Sequence, residues 1–415
     1  MNRSLHLSTF FIGLALSTGA WSDKPTFNGF VSQAAIISND NPFYDDEPDN
    51  NFNLREIGLT ANWNVTKEIR LAGQALSRKA GSFNSSSPEI DFLLVDYNFW
   101  LSEHLSSGVR LGRVKNPYGL YNATRDVPHA RPGVFVPRSV YFESFREALQ
   151  RIDGGTVYLS NTSNLGDLNI DLSLGSTTIE TTTVEYQVFQ KDIVGEFKDV
   201  DVEGFKIEFI PATVRDLTLG FTWYNADMAL QDAATFTPLE QFAGFMVLLG
   251  DPTQFTNYVT GFNIDAEMNL FSAQYSWNQW LFTGELLNID INTTDIEVLH
   301  IPENDRQAKL RGYYLQSEWF ASQRWSLYGR YEELFNNVDD KDGIGFAQRT
   351  GGNALTQYAK AFTLGARYYL TPDWSITGEF SNNEGAAFIA GTDDIDYSSL
   401  EKRWQLFILQ MSYHF

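Results

Sequence analysis

The 415-residue sequence predicts an all-β protein, namely a closed, transmembrane, antiparallel β-barrel of about sixteen strands. Three observations predict this fold class. The chain ends on an apolar, aromatic strand, segments of about ten residues alternate apolar and polar side chains, and the connections between these segments alternate between short and long.

The C-terminal strand, residues 403–415, has an apolar face. Phe407, Leu409, Met411, Tyr413 and Phe415 share one parity, and alternate side chains of a strand point to the same side of the sheet. An unpaired strand edge in lipid leaves backbone hydrogen-bonding groups unsatisfied, so a final strand of this kind must pair with the first strand. The tail therefore predicts a closed barrel in a bacterial outer membrane.

The N-terminal residues 1–22 have the build of a secretory signal peptide. Arg3 is followed by an apolar run from Phe10 to Leu16 and by small residues before Asp23. Cleavage after Ser22 is preferred to cleavage after Ala20. The sequence thus predicts a signal peptide over 1–22 and a single barrel domain over 23–415, exported through the periplasm.

The composition restricts how the chain can cross a membrane. The formal net charge is −22, and after the predicted signal no run of 18 uncharged apolar residues remains to form a membrane helix. The chain has 32 Phe, 19 Tyr and 10 Trp, which barrels place in girdles at the two membrane interfaces. Membrane insertion is therefore expected through strands, and no nucleic-acid partner is expected.

Sixteen segments show the alternation expected of tilted membrane strands. In one of them, Ile57, Leu59 and Ala61 alternate with Gly58 and Thr60, which gives one lipid-like and one polar face. The predicted strands are 26–37, 52–65, 68–78, 90–101, 107–115, 155–162, 167–175, 202–211, 216–226, 262–277, 280–290, 308–321, 324–335, 359–371, 373–383 and 403–415.

Seven short turns alternate with eight long segments between these strands. Outer-membrane barrels have short periplasmic turns and long extracellular loops, so the connections agree with the strand count, with fourteen or eighteen strands as the alternatives. The long segments are 38–51, 79–89, 116–154, 176–201, 227–261, 291–307, 336–358 and 384–402. The apolar run 243–250 lies in one of them and is interpreted as a short helix or a packed loop element, with a surface for a partner subunit as the other possibility.

The stretch after the fifth predicted strand is basic in an acidic chain. Between Arg110 and Arg151 it has eight basic and three acidic residues, a local charge of +5. If these residues line a constriction, they favour anions; the alternative is that the arginines pair with carboxylates and fix the loop to the wall. Inward parity adds Arg70 and Arg78 on the third strand. The candidate pore-lining residues are Arg70, Arg78, Arg110, Arg125, Asp126, Arg131, Arg138, Glu143, Arg146 and Glu147.

Two local motifs resemble the Gram-negative outer-membrane porin family. Gly112-Arg113 is followed by a turn with Pro117 and Gly119, and the chain ends at Phe415. The resemblance implies sixteen strands, a trimer, a third loop that folds into the lumen and narrows the channel, and a terminal assembly signal at Phe415. The acidic Pro-Glu-Phe-Gly-Gly signature of the general enteric porins is absent, so their ion preference is not carried over.

The function expected from these features is passive diffusion of small hydrophilic solutes and ions, with a modest anion preference. Asp126, Glu143 and Glu147 would oppose the arginines across the lumen. The expected partners are solutes and ions, outer-membrane lipid and lipopolysaccharide, and two further copies of the chain; no cofactor or metal is expected. The alternatives are a substrate-selective channel with a saturable pore site and a non-channel barrel, either an adhesin or a phospholipase-like enzyme.

An enzyme would need a nucleophile and a general base in contact. After the predicted signal the only histidines are His104, His129, His300 and His414, and none has an evident serine and acid partner on a neighbouring strand. The acidic runs at 45–49, 339–342 and 393–396 are interpreted as solvated loop tips rather than divalent-cation sites.

Overall fold

The computed structural model describes residues 24–44, 50–81, 84–179, 196–197, 200–231, 259–298, 301–302, 304–389 and 395–415. The predicted signal peptide, the acidic run 45–49, the apolar run 243–250, His300 and residues 393–394 of a second acidic run lie outside the described residues. Among those described, no helix has the length and apolar character needed to cross a membrane.

Sixteen long antiparallel strands form one closed sheet, in which each strand pairs with its neighbours in sequence. They are β1 Thr26–Ser38, β2 Asn50–Asn64, β3 Ile69–Ala80, β4 Asn84–Leu101, β5 Leu105–Lys115, β6 Arg151–Ser163, β7 Gly166–Thr177, β8 Val200–Pro211, β9 Leu217–Gln231, β10 Val259–Trp277, β11 Trp280–Val298, β12 Arg306–Phe320, β13 Trp325–Phe335, β14 Tyr358–Tyr369, β15 Trp374–Gly385 and β16 Arg403–His414. Two-residue strands at Glu196–Phe197 and Ile301–Pro302 extend the pairing of β9 and β11.

The last strand closes the barrel on the first. β16 pairs with β1 in a continuous register from Phe30 opposite His414 to Ser38 opposite Leu406. Beyond this register, the backbones of Gly29 and Phe415 exchange two hydrogen bonds of 3.1 and 3.0 Å. No backbone edge is left between the two ends, as a barrel in lipid requires.

The outer face of the barrel is apolar over the middle of the strands. Leu93, Leu172, Leu315 and Phe380 are all exposed on this face, whereas the alternate residues of the same strands point inward. Next to the short turns the outer face carries paired aromatic rings, such as Trp280 with Trp319, Trp325 with Tyr368, and Trp374 with Tyr413. An apolar belt with an aromatic girdle is stable in a bilayer, so the barrel is a bacterial outer-membrane protein.

All sixteen predicted strands are confirmed, but two predicted long loops are wrong in extent. β3 and β4 pair as far as Ala80 opposite Asn84, which leaves only 81–83 where a loop over 79–89 was expected. β11 likewise continues to Val298 and β12 begins at Arg306. Residues 84–87 and 292–295 are polar, so the apolar alternation used to find strands ends before the backbone pairing does.

The remaining regular structure within the described residues is short. It comprises α1 Arg146–Gln150, α2 Ile344–Thr350 and 3-10 turns at Pro128–Ala130, Ala354–Gln357 and Tyr397–Ser399. In the acidic run before α2, the Asp340 carboxylate accepts hydrogen bonds from the backbone N–H groups of Gly345 and Phe346, at 2.9 and 2.6 Å. Among the described residues, no cluster of side chains has the arrangement of a metal site.

Candidate pore constriction

The β5–β6 loop, residues 116–150, is described over its whole length and is largely buried. Every residue from Arg131 to Tyr141 is buried. An extracellular loop in water would expose most of its side chains. The burial results from contacts between this loop and inward-facing side chains of strands around the barrel.

The first group of contacts joins the start of the loop to β8 and β11. Lys206 on β8 donates a hydrogen bond from Nζ to the carbonyl oxygen of Gly119, at 2.8 Å. The Glu285 carboxylate on β11 accepts hydrogen bonds from the Leu120 backbone N–H (3.0 Å) and from the Tyr141 hydroxyl (2.7 Å). Gly119 has a φ of 57°, a left-handed conformation that favours glycine.

The second group joins the middle of the loop to β13 and β15, on the far side of the barrel from β5. The Glu332 carboxylate on β13 accepts a hydrogen bond from the Ser139 N–H at 3.0 Å, and the Glu379 carboxylate on β15 accepts one from the Val134 N–H at 2.6 Å. Opposite Ser139 the wall residue is Gly312, and a side chain there would collide with the Ser139 carbonyl oxygen. The loop therefore reaches from one wall to the opposite one.

Arg367 on β14 binds the backbone of the same region. Its guanidinium donates to the carbonyl oxygens of Pro128 and His129, each at 3.2 Å, and of Arg131, at 2.8 Å. Three carbonyl oxygens within four residues of the chain match the fixed fork of an arginine. This contact fixes the backbone of the turn at 128–131 against the wall.

The third group is a buried cluster of ion pairs between the loop and strands β2 and β3. Glu56 on β2 pairs with Arg131 (2.6 Å) and with Arg78 (3.4 Å). Arg78 also pairs with Glu143 of the loop at 2.6 Å, and Glu143 accepts from Arg125 at 3.1 Å. Although burial acts to raise it, the pKa of Glu143 is held well below its usual range by Arg78, Arg146 and Arg125.

Asp126 in the middle of the loop contacts residues at both ends of the loop. Its carboxylate pairs with Arg146 of α1 and with Lys115 at the end of β5. Burial opposes ionisation, but Arg146 and Lys115 hold the pKa of Asp126 far below its usual range. Asp126 is therefore a carboxylate at neutral pH and ties the two ends of the loop together.

Six of the ten predicted site residues lie in this connected arrangement, and five of those six are at least 95% buried. They are Arg78, Arg125, Asp126, Arg131, Glu143 and Arg146. Such buried, paired guanidinium groups match the interpretation in which the arginines fix the loop to the wall.

The other four predicted residues lie elsewhere. Arg138 is buried between the rings of Phe43 and Phe388, 5.5 and 4.7 Å from their centroids. Glu147 lies 3.8 Å from Arg151 and is about one third exposed. Arg70 and Arg110 are the most exposed of the ten.

Arg70 on β3 and Arg110 on β5 flank Asp96 on β4, on the inner wall towards the short turns. Their side chains are 43% and 36% exposed, against 10% for Asp96. Arg70 lies 2.9 Å from the Asp96 carboxylate, and Arg110 lies 3.7 Å from it and 3.6 Å from Asp171. Two guanidinium groups thus reach further from the wall than the carboxylates that pair with them.

The structure also shows a site residue that the sequence analysis missed. Glu56 receives two arginines and is completely buried. The pairing of Glu56 with Arg78 could have been predicted from the sequence. Glu56 has the inward parity of β2 and lies directly opposite Arg78 in the β2–β3 register. Its pairing with Arg131, 75 residues away, had no local signal.

The described histidines do not form a catalytic arrangement of the kind considered above. His129 in the β5–β6 loop stacks on His414 of β16 with ring centroids 3.9 Å apart. Burial, together with His414, Arg367 and Arg131, lowers the pKa of His129 from 6.5 to about 4. His104 is exposed in the turn between β4 and β5.

No protein-family model matches the sequence, and no curated protein sequence is significantly similar to it.

Several solved structures are similar in fold. An anion-selective porin from Comamonas acidovorans is 12% identical in sequence; the match covers 95% of this chain and 100% of that porin, with a TM-score of 0.55. OmpT of Vibrio cholerae in its trimer form is 12% identical over 94% and 99%, with a TM-score of 0.55. The outer membrane channel DcaP of Acinetobacter baumannii is 10% identical over 95% and 97%, with a TM-score of 0.54. The chain therefore has the sixteen-stranded barrel fold of the outer-membrane porins.

Proposed function

We propose that the chain forms a water-filled channel through which small hydrophilic solutes and ions diffuse passively, and that the β5–β6 loop narrows it. The observation that carries this proposal is the set of hydrogen bonds between the loop and inward side chains on opposite walls, such as Lys206 with Gly119 and Glu379 with Val134. A segment held across a lumen reduces its cross-section, and the polar inner wall keeps the remaining space hydrated.

We further propose a modest anion preference that Arg70 and Arg110 set. The loop cations Arg125, Arg131 and Arg146 are buried beside carboxylates, so their charge is largely cancelled for a passing ion. Arg70 and Arg110 are accessible, whereas their partners Asp96 and Asp171 have side chains only 10% and 21% exposed. An ion in the lumen therefore meets guanidinium groups before carboxylates.

We also propose that the chain forms a homotrimer and that residues 1–22 are a signal peptide. A homotrimer is supported by the fold shared with a structure described as a trimer form. The outer face of β3 presents the small residues Gly73, Ala75 and Ser77, which allow close approach of another barrel. The signal peptide over 1–22 is supported by its charge and its apolar run.

The channel proposal is tested by recording currents from the purified protein in a planar lipid bilayer. Discrete conductance steps are expected, with a reversal potential in a salt gradient that indicates weak anion preference. Protein that migrates faster on gels before boiling than after, yet produces no conductance, would contradict the proposal and favour an adhesin or an enzyme. A strongly cation-selective current would contradict the assignment of Arg70 and Arg110 alone.

A further inference from the structure

The inner wall of strands β8 to β12 is apolar on the side of the long loops. Two adjacent inward rows cross these five strands in register, and their members share the parity of Lys206 and Glu285, which contact the loop in the lumen. The rows are Val202, Ala226, Ala266, Ile291 and Ala308, and Gly204, Tyr224, Met268, Ile289 and Leu310. No residue in either row is charged. Barrels with an aqueous lumen have a polar interior, so this stretch is unusual for a channel wall.

The outer surface at the same level is acidic. Outward positions that alternate with the two rows hold the carboxylates of Asp201, Glu203, Asp227, Asp265, Glu267 and Asp290. Nearer the short turns this polarity is reversed, because Ser272 and Glu285 face inward while Phe271 and Leu286 are exposed outward. Charged side chains on the outer face destabilise a barrel at the depth of the lipid. The acidic level therefore lies above the lipid, with water outside the wall and an apolar surface inside it.

The β5–β6 loop covers this apolar surface only in part. Ala266 and Ile289 on the wall are buried in one cluster with Tyr141 and Leu149 of the loop. Six apolar side chains at the edge of the cluster are only partly buried. They form the apolar strip, which consists of Met228, Ile264, Ile291 and Leu310 on the wall and Phe142 and Phe145 on the loop. A concave apolar surface that stays open to water is suited to a ligand with an apolar body.

The apolar strip and the accessible arginines lie at successive levels of one lumen. The loop contacts β11 at Glu285, and Ile291 lies six residues further along this strand towards the long loops. At about 3.3 Å per residue, this separation is roughly 20 Å along the strand. Arg70 and Arg110 lie towards the short turns, where the Arg110 guanidinium stacks 4.4 Å from the ring centroid of Tyr158. A solute that enters from the long-loop side therefore meets apolar surface first and guanidinium groups second.

We propose that the channel selects water-soluble organic anions with an apolar body, of which aryl-alkyl carboxylates are the simplest case. The apolar strip binds the hydrocarbon part, and Arg110 and Arg70 then attract the carboxylate, which matches the fork of a guanidinium group. A small inorganic anion gains no apolar contact at the strip, so the strip separates organic from inorganic anions. This selection rests on the proposed channel function and specifies the class of solute that the channel favours.

The test measures how three solutes block the chloride current of the full-length protein in a planar bilayer. Phenylacetate and acetate differ only by the phenyl ring, and phenylacetamide keeps the ring without the charge. Phenylacetate should reach half-block at about one tenth of the acetate concentration, because part of the ring is removed from water at the strip. Phenylacetamide should block more weakly than phenylacetate. Equal block by phenylacetate and acetate, or by phenylacetate and phenylacetamide, would overturn the proposal.

The double variant M228Q/I291T makes two side chains of the apolar strip polar with little change in volume. It should raise the half-blocking concentration of phenylacetate about tenfold and leave the block by acetate unchanged. The matched control I210T/L281Q makes comparable substitutions at partly buried inward residues of β8 and β11 next to the short turns, and it should behave as wild type does. Both variants should keep the wild-type shift between unheated and heated gel samples, which shows that the barrel is folded.

Two results with the variants would also overturn the proposal. Unchanged block by phenylacetate in M228Q/I291T would show that the strip is a packing surface for another part of the chain. An equal loss of block in I210T/L281Q would show that the effect is not specific to the strip. A wild-type protein that carries no chloride current would contradict the channel function itself, whereas a normal current without selective block would contradict only the selection of organic anions.

Discussion

Arg131 and Glu56 form a doubly hydrogen-bonded ion pair that joins the β5–β6 loop to β2. Nη1 of the arginine lies 2.9 Å from Oε1 of the glutamate, and Nη2 lies 2.6 Å from Oε2. Both side chains are almost completely buried. Because the same carboxylate also receives Arg78, this pair connects the loop to two adjacent strands of the wall.

Replacing Glu56 by Gln should loosen the loop without opening the barrel. Removal of one partner from a buried ion pair destabilises the folded arrangement by about 3 to 5 kcal/mol. In E56Q, Arg131 and Arg78 would stay charged and buried without the Glu56 carboxylate. We expect larger current fluctuations in single-channel recordings than in wild type. The control is E103Q, which alters an exposed carboxylate in a turn between β4 and β5. Equal noise in E56Q and E103Q would mean that this pair does not restrain the loop.

The loop should also detach more readily as the pH falls from 6.5 towards 4. In the docked loop His129 has a pKa of about 4, whereas a detached loop would restore the ordinary value of 6.5. Between these values the detached state binds a proton that the docked state does not, so docking loses free energy as the pH decreases. Channel fluctuations should increase from pH 7 to pH 4.5 in wild type and change less in H129Q. An identical pH response in both proteins would exclude His129 as the cause.

Neutralising the exposed wall arginines should shift ion selectivity. The double variant R70Q/R110Q removes the two most accessible candidate cations, while Asp96 and Asp171 stay in place. The reversal potential in a salt gradient should move towards cation preference. The control R113Q removes a cation paired with Asp153 on the outer face, and its reversal potential should match that of wild type. A shift in R113Q as large as that in R70Q/R110Q would show that overall charge, rather than the wall position, controls selectivity.

Phe415 should matter for assembly more than for export. Its backbone exchanges hydrogen bonds with Gly29, and its ring lies over the Gly29 backbone, at the point where the barrel closes. Deletion of Phe415, or F415D, should leave export intact, lower the amount of heat-modifiable protein in the outer membrane and increase periplasmic degradation. F407A, which changes an outward aromatic residue inside the same strand, is the matched comparison. Normal assembly of both Phe415 variants at native expression level would show that the terminal residue is dispensable.

The sequence predicted the barrel well because its signal is local. Alternation within a strand such as 403–415 is readable without knowledge of any other strand, and Phe407, Leu409 and Met411 do face outward. The polar strand ends were missed because they lack this local apolar alternation. Residues 84–89 pair with β3 through backbone hydrogen bonds, which leave no mark in the side-chain pattern.

The arrangement of the loop was less predictable because its partners are distant in sequence. The excess of positive charge between Arg110 and Arg151 is visible in the sequence. Its wall partners are not, because Glu56, which pairs with Arg131, and Glu332 and Glu379, which accept from loop backbone N–H groups, lie on other strands. Arg138 faces two aromatic rings instead of a carboxylate. Local charge counts therefore overestimate how much of this charge reaches the lumen.

The central claim is that the β5–β6 loop limits the flow of ions, and single-channel conductance of a loop-deleted protein tests it most directly. Residues 122–138 are replaced by a short Gly-Ser linker, and a folded barrel is confirmed by the gel shift on heating. The conductance should lie clearly above that of wild type, with weaker dependence on the identity of the anion. A conductance equal to that of wild type would place the narrowest point of the channel elsewhere and would show that the loop does not limit the flow of ions.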